Sequence, residues 1–139
     1  MGWMDTITER LETYEKRCLA AFKGAAQDVV RGVTTPTAKG GRMRVKTGFL
    51  RASLMTSTAA MPRIDPNAKP ASEEDRFRFN MGQHTAAIVS ATMQDTIYMG
   101  FTAAYAGPRE YWDGFIEAER VKWPNTAKRN IAKARKAFP

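Results

Sequence analysis

The sequence predicts an α+β fold in which a long N-terminal helix and a C-terminal helix pack on a small, mainly antiparallel sheet, with long mobile loops between them. Three features predict it. An apolar period of three and four residues runs from Ile7 to Val29, a similar period runs from Trp123 to Phe138, and Ile97, Met99 and Phe101 alternate with Thr96, Tyr98 and Gly100. A chain of 139 residues has room for one hydrophobic core, so residues 1–139 read as a single domain.

Thr6 and Glu9 have capping-box spacing, which predicts a helix start at Thr6. Ile7, Leu11, Tyr14, Cys18, Phe22, Ala25 and Val29 then share one face, and Gly32 is the expected stop. Such a helix is longer than a domain of this size needs to cover its own core, so part of it is expected to meet another subunit. Residues 33–46 lack an apolar period and hold Pro36, Gly40 and Gly41 beside four basic side chains, the pattern of a mobile loop. Thr47 is placed to cap a short helical turn that brings Leu50 and Leu54 back to the core. Met55–Ala60, rich in Thr and Ser, reads as a strand, after which Pro62, Pro66 and Pro70 impose a second loop over 61–75.

Residues 76–81 alternate charge and apolar bulk as a half-buried strand does, although the segment also fits the start of a helix. Gln83–Met93 is Ala-rich and reads as a helix with Ala87, Ile88 and Ala91 on one face. Asp95–Phe101 is the clearest strand. Tyr105–Gly114 is turn-rich and aromatic, the composition of a shaped loop closed by Asp113-Gly114. Phe115–Phe138 returns to helical character, with Pro124 either kinking it or standing in the first turn of a new helix. Tyr98 and Trp123 are expected to close the core around the sheet, whereas Tyr111 and Trp112 are the better interface anchors.

The 22 Lys and Arg against 14 Asp and Glu give a net charge of +8, which favours acidic partners such as nucleic acid or an acidic protein surface. Cys18 is the single cysteine, which excludes an intrachain disulfide and a cysteine-rich metal site and fits a reducing compartment. Met1–Asp5 lacks the basic start and apolar run of a signal peptide, and no stretch reaches the length of a membrane span, so a cytoplasmic product without membrane contact is expected. Gly2 followed by Thr6 matches only the loose end of a myristoylation pattern and is set aside.

Catalytic chemistry has little to stand on. His84 is the lone histidine, without neighbouring ligands, and reads as a partly exposed residue beside a turn. Glu73-Glu74-Asp75 reads as a solvated charge run rather than a cation site, and Glu110, Asp113, Glu117 and Glu119 come with no phosphate-binding loop or nucleophile elbow. The chain is therefore expected not to be an enzyme and to need no cofactor or metal. The basic features carry more. Lys39, Arg42, Arg44 and Lys46 load the first loop, and Lys122, Lys128, Arg129, Lys133, Arg135 and Lys136 load the final helix, with no acidic residue after Glu119. Together with Tyr111 and Trp112, the four loop cations are the candidate interface residues. A nucleic-acid-binding protein using loop 39–46 and the C-terminal helix is the leading alternative to an assembly subunit.

The string Val45-Lys46-Thr47-Gly48-Phe49-Leu50-Arg51-Ala52-Ser53-Leu54 resembles the Thr-Gly-x-Leu-Arg-x-Ser signature of tailed-bacteriophage tail-completion and neck proteins. Asp95–Phe101, then Tyr105-Ala106 and Glu110-Tyr111, is similar to the strand, Tyr-Ala and Glu-aromatic succession of that family, and Trp123-Pro124 in a terminal helix fits it. The chain departs from the pattern where Trp112 and Asp113 intervene before Gly114, and the Pro62–Pro70 segment has no counterpart. The resemblance implies a non-enzymatic virion protein made in the host cytoplasm. It would form a ring, expected to be hexameric, at the head-tail junction, in contact with connector or stopper proteins and the tail tube. Phage DNA would pass through the lumen without specific binding. A head-to-tail ring needs two unlike complementary surfaces on each subunit, which a long helix and mobile loops can supply.

Overall fold

The computed structural model describes residues 2–139, and Met1, which opens the N-terminal segment read above, lies outside them. Among the described residues the chain forms five α-helices and two strands, in the order α1 (Trp3–Thr34), α2 (Phe49–Ala52), β1 (Leu54–Ser57), α3 (Met81–Val89), β2 (Tyr98–Phe101), α4 (Ala106–Asp113) and α5 (Phe115–Ala137). The two strands pair antiparallel, Leu54 opposite Phe101 and Ser57 opposite Tyr98. The expected α+β arrangement is therefore present, with α1 and α5 as its long helices.

Helix α1 begins one turn before the expected cap. The Gly2 N–H donates to the Asp5 carboxylate at 3.1 Å, and Thr6, instead of capping, turns its hydroxyl back to the Gly2 carbonyl. Nor does Gly32 stop the helix, which runs on to Thr34; the Thr34 hydroxyl donates to the Val30 carbonyl at 2.7 Å, and Pro36 prevents continuation. With 32 residues the helix is about 48 Å long at 1.5 Å per residue. Only its C-terminal part enters the core, through Ala26, Val30 and Val33, while Ile7, Leu11 and Tyr14 of the apolar stripe are exposed.

The loop after α1 is anchored to the core in a way that its composition hides. Thr37–Lys39 forms a single 3-10 turn, the Thr37 N–H donates to the Met43 carbonyl at 2.9 Å, and the Met43 side chain is fully buried in the main core. The junction that follows is built residue by residue. The Thr47 hydroxyl accepts from the Phe49 N–H at 3.1 Å, as expected of a cap. Gly48 takes φ +84°, and a Cβ there would overlap the Phe77 carbonyl, so both backbone conformation and space require glycine. Leu50 is in the core, the Arg51 guanidinium donates to the Thr34 carbonyl at the end of α1, and the Ser53 hydroxyl donates to Leu50. Arg51 satisfies one of the orphan carbonyls of α1 and complements its dipole.

Residues 76–80 form no strand. Phe77 gives one backbone hydrogen bond, to Thr47, and the side chains hold the segment instead: Phe77 packs edge-on to Phe49 and Phe79 stacks on His84. His84 itself is buried in α3, not exposed beside a turn, with its Nδ1 2.7 Å from the Thr56 hydroxyl of β1. Tyr105–Gly114, expected as a loop, contains the helix α4. Gly107 and Pro108 belong to its first turn, where no intrahelical N–H bond is needed, so the turn-like composition does not break it. Gly114, at φ +66°, ends α4 and starts α5.

Helix α5 runs unbroken through Pro124 and packs along α1. The buried stripe is not the apolar one. Phe115, Glu119, Thr126, Asn130 and Ala134 face inward, while Trp123 and Ile131 are exposed. Two glycines of α1 make this possible: a Cβ on Gly24 would overlap the Asn130 amide, and one on Gly32 the Glu119 carboxylate. The buried polar groups are partnered, Asn130 Nδ2 donating to Asp28 at 2.8 Å and to the Thr126 carbonyl at 2.9 Å, and Glu119 meeting Lys122 at 3.4 Å.

Candidate functional interface

Two of the segments that supply interface candidates meet at one carboxylate. Asp113, the last residue of α4, is buried and accepts from the Nε and Nη2 of Arg109, one turn back, at 2.6–3.1 Å. Arg44 of the first loop reaches the same carboxylate, Nε to Oδ1 3.5 Å, so the basic loop is fastened beside α4. Two residues along, Lys46 pairs with Glu73 of the second loop at 3.2 Å. Lys46 and Glu73 are both exposed, so that pair contributes little to stability, whereas the Asp113 carboxylate that Arg44 meets is buried, which makes it the firmer attachment of the loop. Lys39 and Arg42 stand exposed on the same loop and are not brought to α4 by any hydrogen bond or ion pair.

Tyr111 and Trp112 lie on the outer side of α4, packed edge-to-face with ring centroids 5.4 Å apart and exposed by 82% and 76%. Their direction is fixed by the α4–α5 corner. The Glu110 carboxylate accepts the Ile116 and Glu117 N–H groups, both at 2.9 Å, which caps α5, and the Gly114 N–H returns to the Glu110 carbonyl. Trp112 and Asp113, the residues that depart from the family succession, extend α4 before this corner. The large exposed aromatic pair and the Arg44–Asp113 contact thus sit on neighbouring residues of one short helix.

A cleft of about 410 Å³ lies between the loop and α4, walled by Arg44, Lys46, Phe49, Arg51, Tyr105 and Arg109. Burial raises the Tyr105 hydroxyl above its ordinary pKa, and hydrogen bonds to Thr47 and the Leu50 backbone partly oppose the shift. Of the four cationic side chains on the wall, Arg44 and Arg109 are engaged by Asp113 and Lys46 by Glu73, which also lines the cleft, and no nucleophile stands beside a base there. Among the described residues no three His, Cys, Asp or Glu side chains gather closely enough to hold a metal ion, and no helix is long and apolar enough to cross a membrane.

The residues that carry the family resemblance do structural work. Thr47, Gly48, Leu50, Arg51 and Ser53 tie α2 to the end of α1 and to the sheet, and Glu110 caps α5. Sequence reasoning missed one apolar surface. Trp123, expected in the core, is 47% exposed and instead lines an open groove of about 590 Å³ with Phe22 and Val29 of α1, Ile97 and Met99 at β2, and Ile116 of α5. The signal was present as an apolar period on α5 that matched no buried face. No protein-family model matches the chain, and comparison with curated proteins and with solved structures finds no match.

Proposed function

We propose that this chain is a structural subunit of a tailed-phage virion that forms a ring at the head-tail junction and joins the connector to the tail tube. The observation that carries this reading is the surface on α4 and the first loop: an exposed Tyr111–Trp112 pair beside a cationic loop fastened at Asp113, with no catalytic arrangement under it. Exposed aromatics of this size, with Arg44 and Arg109 held at the neighbouring Asp113, have the composition of interface anchors. The resemblance at Thr47–Ser53 and Glu110-Tyr111 supports the family assignment through residues that here build the frame rather than the contact.

The experiment is charge reversal at Lys39→Glu and Arg42→Glu in the phage that encodes the protein. Deleting the loop is unsuitable, because Met43 is part of the core. The reading expects a folded protein, with filled heads and finished tails that accumulate unjoined. Normal joining, or purified virions without this polypeptide, overturns it.

A second reading rests on α5. Lys128, Lys133, Arg135 and Lys136 stand exposed on a helix with no acidic residue beyond Glu119, which suits a phosphate backbone. It predicts nucleic-acid affinity that falls steeply between low and moderate salt in a mobility-shift assay, and salt-independent or absent binding refutes it.

A further inference from the structure

The N-terminal end of α1 extends as an arm. Trp3, Met4, Ile7, Leu11 and Tyr14 are exposed by 44–72%, on residues spaced to form one stripe; α5 ends opposite Arg17, whose side chain donates to the Phe138 carbonyl, and only Pro139 beyond it borders Glu9–Tyr14. A stripe of large apolar side chains facing water along three turns of helix has no stabilising role in the monomer. The groove between α1, β2 and α5 is a second unpartnered apolar surface, walled by Phe22, Val29, Ile97, Met99, Ile116 and Trp123.

We propose that the arm of one copy lies in the α1–β2–α5 groove of a second copy. Three features select that occupant. An arm cannot fill its own groove, because both belong to one continuous helix and the arm points away from the Phe22–Val33 wall. The lengths agree: Met4 to Tyr14 rises about 15 Å, and the groove wall from Phe22 to Val33 rises about 17 Å. The charges also agree, since residues 3–14 carry Asp5, Glu9 and Glu12 against Arg10, whereas the rest of the chain holds 11 acidic and 21 basic residues. The arm is thus an acidic segment attracted to a basic body, while the charged lining of the groove itself is one Glu119 and one Arg120. One contact covers both apolar surfaces, and because arm and groove are different patches it can be propagated from copy to copy.

The contact deepens the ring reading by giving the ring its subunit interface, and in that sense rests on it, but it is tested on purified full-length protein without virions. An arm variant, Ile7→Glu with Leu11→Glu, and a groove variant, Ile116→Glu with Trp123→Glu, change only exposed side chains, and circular dichroism verifies that each stays folded. Light scattering after size exclusion should show a self-associating wild type and two monomeric variants, each with a dissociation constant raised about a hundredfold or more. An equimolar mixture of the two variants should recover a heterodimer, because one retains an intact arm and the other an intact groove. A mixture that stays monomeric overturns the proposal, as does a wild type that is monomeric up to its solubility limit. A groove variant that still self-associates also overturns it, since the arms would then be pairing with each other. A wild type that closes as a dimer through this contact, with the mixture still complementing, leaves the proposal standing and refutes the ring reading.

Discussion

Replacing Gly24 by alanine should destabilise this protein, against the ordinary preference of a helix. In a helix interior the change from glycine to alanine gains about 1 kcal/mol. At this position the new Cβ would overlap Asn130 Oδ1, with Asn130 Cγ only 3.2 Å away. The amide must swing out, and doing so breaks the bond it gives to the Asp28 carboxylate at 2.8 Å and the bond to the Thr126 carbonyl at 2.9 Å. A hydrogen bond to a charged partner is worth about 1.5–3 kcal/mol and a neutral one about 1 kcal/mol, so the loss outweighs the propensity gain and the net cost is about 1.5–3 kcal/mol. The Asn130→Ala variant removes the obstacle. In that background Gly24→Ala should become stabilising by about 1 kcal/mol, a reversal of sign that amounts to a coupling energy of roughly 2.5–4 kcal/mol. Urea unfolding followed by far-ultraviolet circular dichroism on the four proteins of the cycle measures it, at unchanged m-value. If Gly24→Ala stabilises the wild-type chain, the α1–α5 seam is not packed through this glycine and the reasoning fails.

Two further predictions concern the frame. Gly48→Ala places a Cβ at φ +84° and against the Phe77 carbonyl, so the variant should lose at least about 2 kcal/mol, from left-handed strain together with displaced backbone; thermal unfolding within 1 kcal/mol of wild type, by the same order of estimate, would contradict this. Burial pushes the Asp28 carboxyl up, but hydrogen bonds from Asn130 and Arg129 and the charges of Arg129 and Lys133 outweigh it and hold the group below its ordinary range. The folded-state pKa is therefore lower than the unfolded value of about 3.9, and the unfolded chain binds more protons between the two. The stabilisation is complete above that unfolded value and disappears as pH falls through the folded one. Asp28→Asn should flatten the fall in melting temperature over this acid window, and a profile parallel to wild type would show that the carboxylate is not linked to folding.

Local pattern was enough to read the elements whose residues interact with their own neighbours. Met99 and Phe101 alternate in β2 and pack inward, although the expected strand is shorter at its start and leaves Asp95–Ile97 outside it, Thr47 caps the turn before Leu50, and the helical character of Phe115–Phe138 survives in α5. The candidate surface was legible in part, because Tyr111 and Trp112 were chosen for their large contact area and polar handle, and both are exposed on α4. Arg44 was chosen for its charge, yet its attachment to Asp113, 69 positions along the chain, has no trace in local spacing.

What the linear order of residues could not decide was which face of each long helix is covered. Periodicity finds a stripe, but burial depends on what stands opposite. On α5 the opposing Gly24 and Gly32 open room for Asn130 and Glu119 and offer or permit partners for their polar atoms, so polar side chains are buried and Trp123 and Ile131 are left outside. On α1 the stripe is continuous from Met4 to Val33, yet the body of the protein extends along only its C-terminal part. A helix's own sequence sets its repeat at short range, whereas the desolvation of each position is set by distant chain segments that reach it only in the folded state.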